Sequence, residues 1–330
     1  MTGTGEDAVF VETAGRLHFG VLDLRGSLGR WFGGIGASAP APTVLVSARP
    51  AAVLEVGGED AERAAEFARR FLAHNNVKTG ARVCVHRTIP SHAGLGSGTQ
   101  LALAVARALA EINGVATNTS DLARAVGRAR RSAVGTWTFD GGGLVVEGGK
   151  RRESEDIAPL LARLPFPPTW RCIVVVPAAA ATMSGTAEED AFARLEPPPE
   201  RDAERASHLV LMGLLPALAD GDLATFGAVL SDIQTMNGRW FAAVQGGTFA
   251  PGPSVEIVRR MTEWGASGVG QSSWGPTVYG IVNGEDESLR LAERVRAMVD
   301  TFGSTATVHE GPFRTEGARV WRPSTVLGTR

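Results

Sequence analysis

The segment from Ile89 to Gln100 reads Ile-Pro-Ser-His-Ala-Gly-Leu-Gly-Ser-Gly-Thr-Gln, and it constrains this chain more than any other. Before it, Val83, Val85, Arg87 and Ile89 alternate with polar or small residues, which predicts a strand. Pro90 ends that strand, because proline cannot donate to a ladder. After it, Leu101, Val105, Ala108 and Ile112 share one face of a predicted helix, Thr99 to Ile112, with Asn113-Gly114 as its stop. Glycines permit the positive φ angles that turn successive N–H groups toward one point. A helix start adds unpaired N–H donors and a partial positive charge. Strand, glycine loop and helix together predict a cradle for phosphate or pyrophosphate at Gly94, Gly96, Ser97, Gly98 and Thr99; the plainer reading is a glycine turn with a helix cap. The loop is not a Walker loop, since no Gly-Lys-Ser/Thr closes it. Its Gly-x-Gly-x-Gly spacing is not that of a dinucleotide fingerprint either.

Around this loop the pattern predicts two lobes. Val9 to Leu24 alternates around Gly15 and Gly20 as a hairpin would, and Thr43 to Ser47 and Ala52 to Val56 read as strands. Glu59 to His74 reads as a helix, a second helix is capped by Ser120-Asp121 and runs to about Ser132, and Leu144 to Glu147 and Cys172 to Val176 read as strands. Arg128, Arg130 and Arg131 then suit a solvated helix end. Prolines at 165–168 and 197–199 mark loops. Helices follow at Arg201 to Ala219, Asp222 to Met236, Ser254 to Trp264 and Glu285 to Phe302, with strands at Thr277 to Val282 and Thr305 to Glu310. The expected class is α+β: an N-terminal lobe of mixed strands and helices, 1–165, and a C-terminal split α+β (ferredoxin-like) lobe, 166–330, with a cleft between them.

Composition closes off other classes. A formal net charge of −2 gives no global field for nucleic acid. No apolar run of about 18 residues predicts a membrane span, and Met1 to Asp7 lacks the basic and apolar regions of a secretory signal, so a cytoplasmic setting is expected. Cys84 and Cys172 each sit in an apolar run and read as buried free thiols.

Pro-Ser-His-Ala-Gly-Leu-Gly-Ser-Gly-Thr-Gln resembles the central phosphate motif of the GHMP superfamily, from which it departs at Gly98 and Thr99. Several further segments narrow the likeness: Arg16-Leu17-His18-Phe19-Gly20, Asp23-Leu24, Gly26-Ser27-Leu28-Gly29-Arg30, Gly33-Gly34-Ile35-Gly36, Gly135-Thr136, Gln245-Gly246-Gly247, and above all Gly268-Val269-Gly270-Gln271-Ser272-Ser273-Trp274-Gly275-Pro276-Thr277. In this order they resemble the β-ribofuranosylaminobenzene 5′-phosphate synthases, over most of the chain from Gly15 to Val282.

That resemblance implies a GHMP-type two-lobe fold without ATP-dependent phosphoryl transfer. It implies the joining of 5-phosphoribosyl 1-pyrophosphate to 4-aminobenzoate, with release of carbon dioxide and pyrophosphate, for methanopterin biosynthesis. Mg²⁺ and a homodimer are implied with it. A GHMP-type ATP-dependent small-molecule kinase is the alternative, and 4-hydroxybenzoate stays open as acceptor. Loss of pyrophosphate leaves an oxocarbenium-like ribose, which a carboxylate stabilises. Asp23 is the candidate, with a metal-ligand role or a turn residue as its other readings. Arg30, and after it Arg16, can clamp a carboxylate or phosphate. His18 is a candidate for proton transfer and His92 for a phosphate contact. Asp140 is a candidate for the acceptor's amino group. In the second glycine-rich loop Gln271, Ser272 and Ser273 can bond ribose or phosphate, and Trp274 can stack on the aromatic ring.

Overall fold

The computed structural model describes residues 7–178, 190–192, 194–302 and 305–323. A single strand, β1 (Val9–Asp23), pairs antiparallel with β2 (Arg30–Ala51) along most of its length. The hairpin expected inside Val9 to Leu24 is therefore corrected. The register shifts between Ala14 and Arg16 and between His18 and Gly20, so Gly15 and Gly20 sit at bulges, which add a residue without reversing the chain. β2 runs through Thr43 to Ser47 as one strand of 22 residues. Beyond it lie β4 (Gly80–Arg87), antiparallel to β2, and β3 (Glu55–Gly58), parallel to β4. The other half of β2 pairs with β5 (Leu144–Glu147) and β6 (Lys150–Arg151), and β7 (Leu160–Leu164) pairs with β5.

Four helices cover this sheet: α1 (Ala61–His74), α2 (Ser97–Asn113), α3 (Thr119–Ala125) and α4 (Val134–Gly141). Every residue of α2 from Gln100 to Ala110 except Arg107 is buried, so the helix is enclosed on all sides and not on one face alone. Its small alanines let β1, β2, α1 and α4 approach it. The expected helix ending near Ser132 stops instead at Ala125, and Gly127 takes a left-handed φ of 69°. The arginines that follow belong to a loop.

The second sheet holds β8 (Trp170–Pro177), β9 (Gly268–Gln271), β10 (Val278–Asn283) and β11 (Ala306–Pro312) in the order β11-β8-β10-β9, all antiparallel. First and last strands lie side by side, as in the split α+β lobe expected. Its helices are α5 (Glu200–Leu209), α6 (Leu215–Asp220), α7 (Leu223–Gln245), α8 (Pro253–Glu263) and α9 (Glu285–Thr301). A π turn, Val210–Leu214, joins α5 to α6. Pro216 follows it and has no N–H for the carbonyl one turn back, which favours a wider turn there.

The chain does not stay in its second lobe. β12 (Arg319–Trp321) returns to pair with β1, and the largest apolar cluster joins Leu17, Phe19 and Leu103 to Cys172, Phe226 and Tyr279. Cys172 is a buried free thiol and Cys84 a half-buried one. Among the described residues no helix is long and apolar enough to cross a membrane.

Candidate active site

A cleft of about 110 Å³ opens between the lobes. One wall is polar: Arg16 and His18 from β1, with Arg131 and Ser132 from the loop before α4. The other is aromatic: Phe32, Phe192, Phe241 and Trp274. Trp274 meets Phe241 edge-on at 4.9 Å and Phe192 at 5.4 Å, and Phe192 meets Phe32 at 5.6 Å. These are favourable edge-to-face distances. The Arg131 guanidinium lies 5.1 Å over Phe192, which sets a cation in the aromatic wall.

Arg16 connects the cleft to the glycine loop. Its backbone N–H donates to the Leu95 carbonyl at 2.9 Å, and its Nη1 donates to the Gly94 carbonyl. Ser272 completes the tie: its Oγ accepts from the His18 N–H at 2.9 Å and donates to the same Gly94 carbonyl at 2.7 Å. A Cβ on Gly94, where φ is +80°, would lie 2.3 Å from the Ser272 carbonyl oxygen, so glycine is required on both counts.

At the loop's end Gly96 caps α2 with a left-handed φ of 69° and no side-chain cap, and the first-turn amides of Ser97 and Gly98 open the helix. Gln100, fully buried, accepts from the Thr13 hydroxyl at 2.7 Å and donates to the Gly135 carbonyl at 2.9 Å, which fixes that helix start against β1 and α4. Two arginines flank the first turn: a Cβ on Gly98 would come within 2.9 Å of both Arg128 Nη2 and Arg63 Nη2. Burial, and then repulsion from Arg63, Arg70 and Arg130, pushes Arg128 down to about 10. The expectation of a solvated helix end thus fails for Arg128, which is half-buried against the Phe67 ring at 4.8 Å, its Nε enclosed without a hydrogen-bond partner. Clustered cations beside an open helix N-terminus make a strong anion site.

His18 is buried, and burial first, then Arg16, lowers its pKa to about 3, so the ring is neutral. Its Nε2 lies 3.3 Å from Ser132 Oγ. Ser132 in turn bonds Glu147 at the end of β5, whose pKa is raised by burial against the pull of its hydrogen bonds.

The structure gathers some expected residues and disperses others. Arg16, His18, Gln271, Ser273 and Trp274 line the cleft. Gly94, Gly96, Ser97, Gly98 and Thr99 form the loop and the first turn of α2. Asp23 is not among the lining residues: its Oδ1 accepts from the N–H groups of Arg25 at 2.6 Å and Gly26 at 3.1 Å, an Asx turn. Arg30 donates to the Gly149 carbonyl at 3.0 Å, beside β6 and outside the cleft. His92, at a φ of 59°, is exposed on a separate groove with Val176 and Thr307. Asp140 is bound by Arg163 at 2.9 Å and the Thr119 hydroxyl at 2.7 Å, so its charge is spent on structure. Ser272 is wholly buried and uses its hydroxyl on the protein. Gln271 accepts from Ala250 N–H at 2.6 Å and donates to the Ser273 carbonyl at 3.0 Å, so it shapes the loop.

Sequence reading missed Arg63, Ser132, Glu147, Gln234, Asn237 and Phe241. Glu147 was signalled by a charge ending the apolar run Leu-Val-Val before two glycines. Gln234 and Asn237, three apart on α7, bond the backbone of Phe19 and Val21 and hold α7 to β1.

Comparison with known proteins agrees with this architecture. Residues 61–141 match the GHMP kinases N terminal domain and residues 214–301 the GHMP kinases C terminal domain. The chain is 34% identical over 297 residues to the beta-ribofuranosylphenol 5′-phosphate synthase of Methanothermobacter thermautotrophicus, covering 83% of this chain and 89% of that one. It is likewise 34% identical over 296 residues to the Archaeoglobus fulgidus protein of the same name, covering 85% and 91%. Homoserine kinase from Cytophaga hutchinsonii superposes with a TM-score of 0.73 at 17% identity, over 97% of this chain and 99% of that one. Lactococcus lactis galactokinase, crystallised with galactose, superposes at 0.69 and 12% identity, over 96% of each chain. The structural likeness shows the fold, and the sequence likeness shows the branch: this chain belongs to the β-ribofuranosylphenol 5′-phosphate synthase family, built on the GHMP kinase fold.

Proposed function

We propose that this protein is a phosphoribosyl C-glycosyltransferase. It joins 5-phosphoribosyl 1-pyrophosphate to the carboxyl-bearing ring carbon of a para-substituted benzoate and releases carbon dioxide and pyrophosphate. One observation carries the reading: Arg16 lines the cleft whose aromatic wall holds Arg131, and the same side chain bonds the glycine loop that leads into the anion cradle. The pyrophosphate sits on the first turn of α2, where the amides of Ser97 and Gly98 meet Arg63 and Arg128. The acceptor ring lies along Trp274 and Phe241. Leaving pyrophosphate is stabilised by the arginines, and the oxocarbenium-like ribose is captured by the facing ring carbon. Asp23 and Arg30, turned to structural bonds outside the cleft, have no part in this account.

The acceptor expected from sequence is 4-aminobenzoate; the relatives' name, ending in phenol, favours 4-hydroxybenzoate. On either, the enzyme is a cytoplasmic homodimer serving methanopterin-type cofactor synthesis without ATP. Mg²⁺ accompanies pyrophosphate in such chemistry, but among the described residues no group of three or more His, Cys, Asp or Glu converges to cage a metal. No step is therefore drawn through one.

The test is purified protein with phosphoribosyl pyrophosphate, Mg²⁺ and each benzoate carrying labelled carboxyl. Label is expected to leave as carbon dioxide only when the donor is present. Retention of all label, with ATP hydrolysed in the presence of a small alcohol, overturns the reading in favour of a kinase.

A further inference from the structure

Glu147 is wholly buried behind the polar wall of the cleft. Its Oε2 accepts from the Gly149 N–H at 2.7 Å and its Oε1 from the Ala133 N–H at 3.4 Å, and it also bonds the Ser132 hydroxyl. Ser132 Oγ lies 3.3 Å from His18 Nε2. Ser132 and His18 both line the cleft, whereas Glu147 does not. The facing backbone makes room for the pair: a Cβ on Gly34 would fall 2.8 Å from Glu147 Oε1 and 3.0 Å from Ser132 Oγ. A carboxylate, a hydroxyl and an imidazole thus run in line from the interior to the cleft.

We propose that Glu147, Ser132 and His18 form a proton relay that takes a proton from the para substituent of the aromatic acceptor and returns it. The inference rests on the benzoate-acceptor reading above. As the ring carbon bearing the carboxylate bonds to the donor's C1, the C1–O bond breaks and its electron pair leaves with pyrophosphate. Positive charge moves to the para atom and its proton becomes acidic. That proton goes to His18 Nδ1, the Nε2 proton goes to Ser132 Oγ, and the hydroxyl proton goes to Glu147. The imidazole ends neutral, in its other tautomer. When carbon dioxide leaves, the electrons of its bond restore the aromatic ring and the proton returns along the same chain. No proton is gained or lost overall. The charged groups facing the relay are Arg16 beside His18 and Arg131 next to Ser132. Arg16 opposes an imidazolium, which suits a relay that never forms one. Burial raises Glu147 toward the range in which a carboxylate can accept a proton.

The relay bears on the choice of acceptor. A phenol oxygen donates electrons strongly only after it loses its proton, whereas an amino nitrogen donates with its protons in place. Loss of the relay therefore costs 4-hydroxybenzoate more than 4-aminobenzoate.

The experiment is Ser132→Ala, which spares both backbone bonds to Glu147, assayed with each acceptor beside Glu147→Gln and the restoring variant Ser132→Thr. For Ser132→Ala, kcat with 4-hydroxybenzoate is expected to fall about 100-fold, with KM held within about threefold and a fall of only about tenfold with 4-aminobenzoate. The pH profile of kcat is expected to lose its acidic limb in both Ala and Gln variants and to regain it in Ser132→Thr. An unfolding midpoint near that of the native protein shows that Ser132→Ala folds. Turnover of 4-hydroxybenzoate by folded Ser132→Ala within about threefold of native overturns the relay, as does an equal loss for both acceptors with KM raised. Native protein that turns over neither acceptor overturns the functional reading, and the relay with it.

Discussion

His18 is held neutral by burial and by Arg16, and that has a cost in acid. Its folded pKa of about 3 lies below the ordinary 6.5, so on acidification the unfolded chain takes up a proton that the native chain refuses. Stability conferred by the neutral ring is fully present above 6.5 and is lost as pH falls toward 3, at about 1.4 kcal/mol per pH unit. Glu147 runs the other way. Its raised pKa lets the native state bind a proton first, so stability from its neutral form grows as pH drops through that value. Urea midpoints at a series of pH values, native against His18→Gln, isolate the histidine slope, and parallel curves would contradict it. Arg128 carries a related signature. Packed beside like charges, it strains the free protein, so Arg128→Gln is expected to keep or raise the melting temperature. The same change removes a charge-assisted contact worth about 1.5–3 kcal/mol, so pyrophosphate binding should weaken roughly 10- to 100-fold by calorimetry. Unchanged affinity would remove Arg128 from the cradle.

The strand–loop–helix element is where two glycines separate structure from function. Gly94→Ala meets backbone at 2.3 Å in a left-handed conformation and is expected to cost about 3 kcal/mol, read as a fall in the unfolding midpoint. Gly98→Ala meets only the flexible ends of Arg63 and Arg128. It should leave stability level or raise it by up to about 1 kcal/mol, while KM for the phosphoribosyl donor rises about tenfold. This element was legible in the sequence because its signals are local: an alternating strand, a proline, three glycines, an apolar helix. The hairpin expected at Val9 to Leu24 was misread for the opposite reason. A glycine at a bulge looks like a glycine at a turn until the partner strand, residues away in β2, is known. Likewise β12 is three residues whose partner is at the other end of the chain. Arg16, His18 and Trp274 could be named from motifs, but Glu147, Arg63, and the pair Ser132 and Arg128 come from three separate segments. Nothing within any one of those segments announces that they converge.

On the scale of the molecule, the lobes share what holds them. Phe166, ahead of β8, stacks at 3.8 Å on Phe313, just after β11, and both belong to the cluster that contains Leu17 and Leu103 of the first lobe. The second lobe has a cluster of its own around Ile173, Met261 and Val295, but Cys172, Phe226 and Tyr279 belong to the core it shares with the first lobe, and β12 returns to pair with β1. Calorimetry is therefore expected to show one cooperative transition whose calorimetric and van't Hoff enthalpies agree; two resolved transitions would mean independent lobes. The shared core also fixes the cleft, since β1 supplies Arg16 and His18 to one wall while α7, pinned to β1 by Gln234 and Asn237, supplies Phe241 to the other. In a fold common to kinases, Arg16 here ties the glycine loop to an aromatic-walled cleft, where we propose that a sugar carbon and an aromatic ring carbon are joined. The most direct measurement is the stoichiometry of a single reaction mixture holding the protein, phosphoribosyl pyrophosphate, Mg²⁺ and a para-substituted benzoate. Carbon dioxide and pyrophosphate are expected in equal amounts, together with a ribosyl arene phosphate whose sugar C1 is bonded to ring carbon by NMR. Pyrophosphate released without carbon dioxide, or a product linked through nitrogen or oxygen, would contradict it.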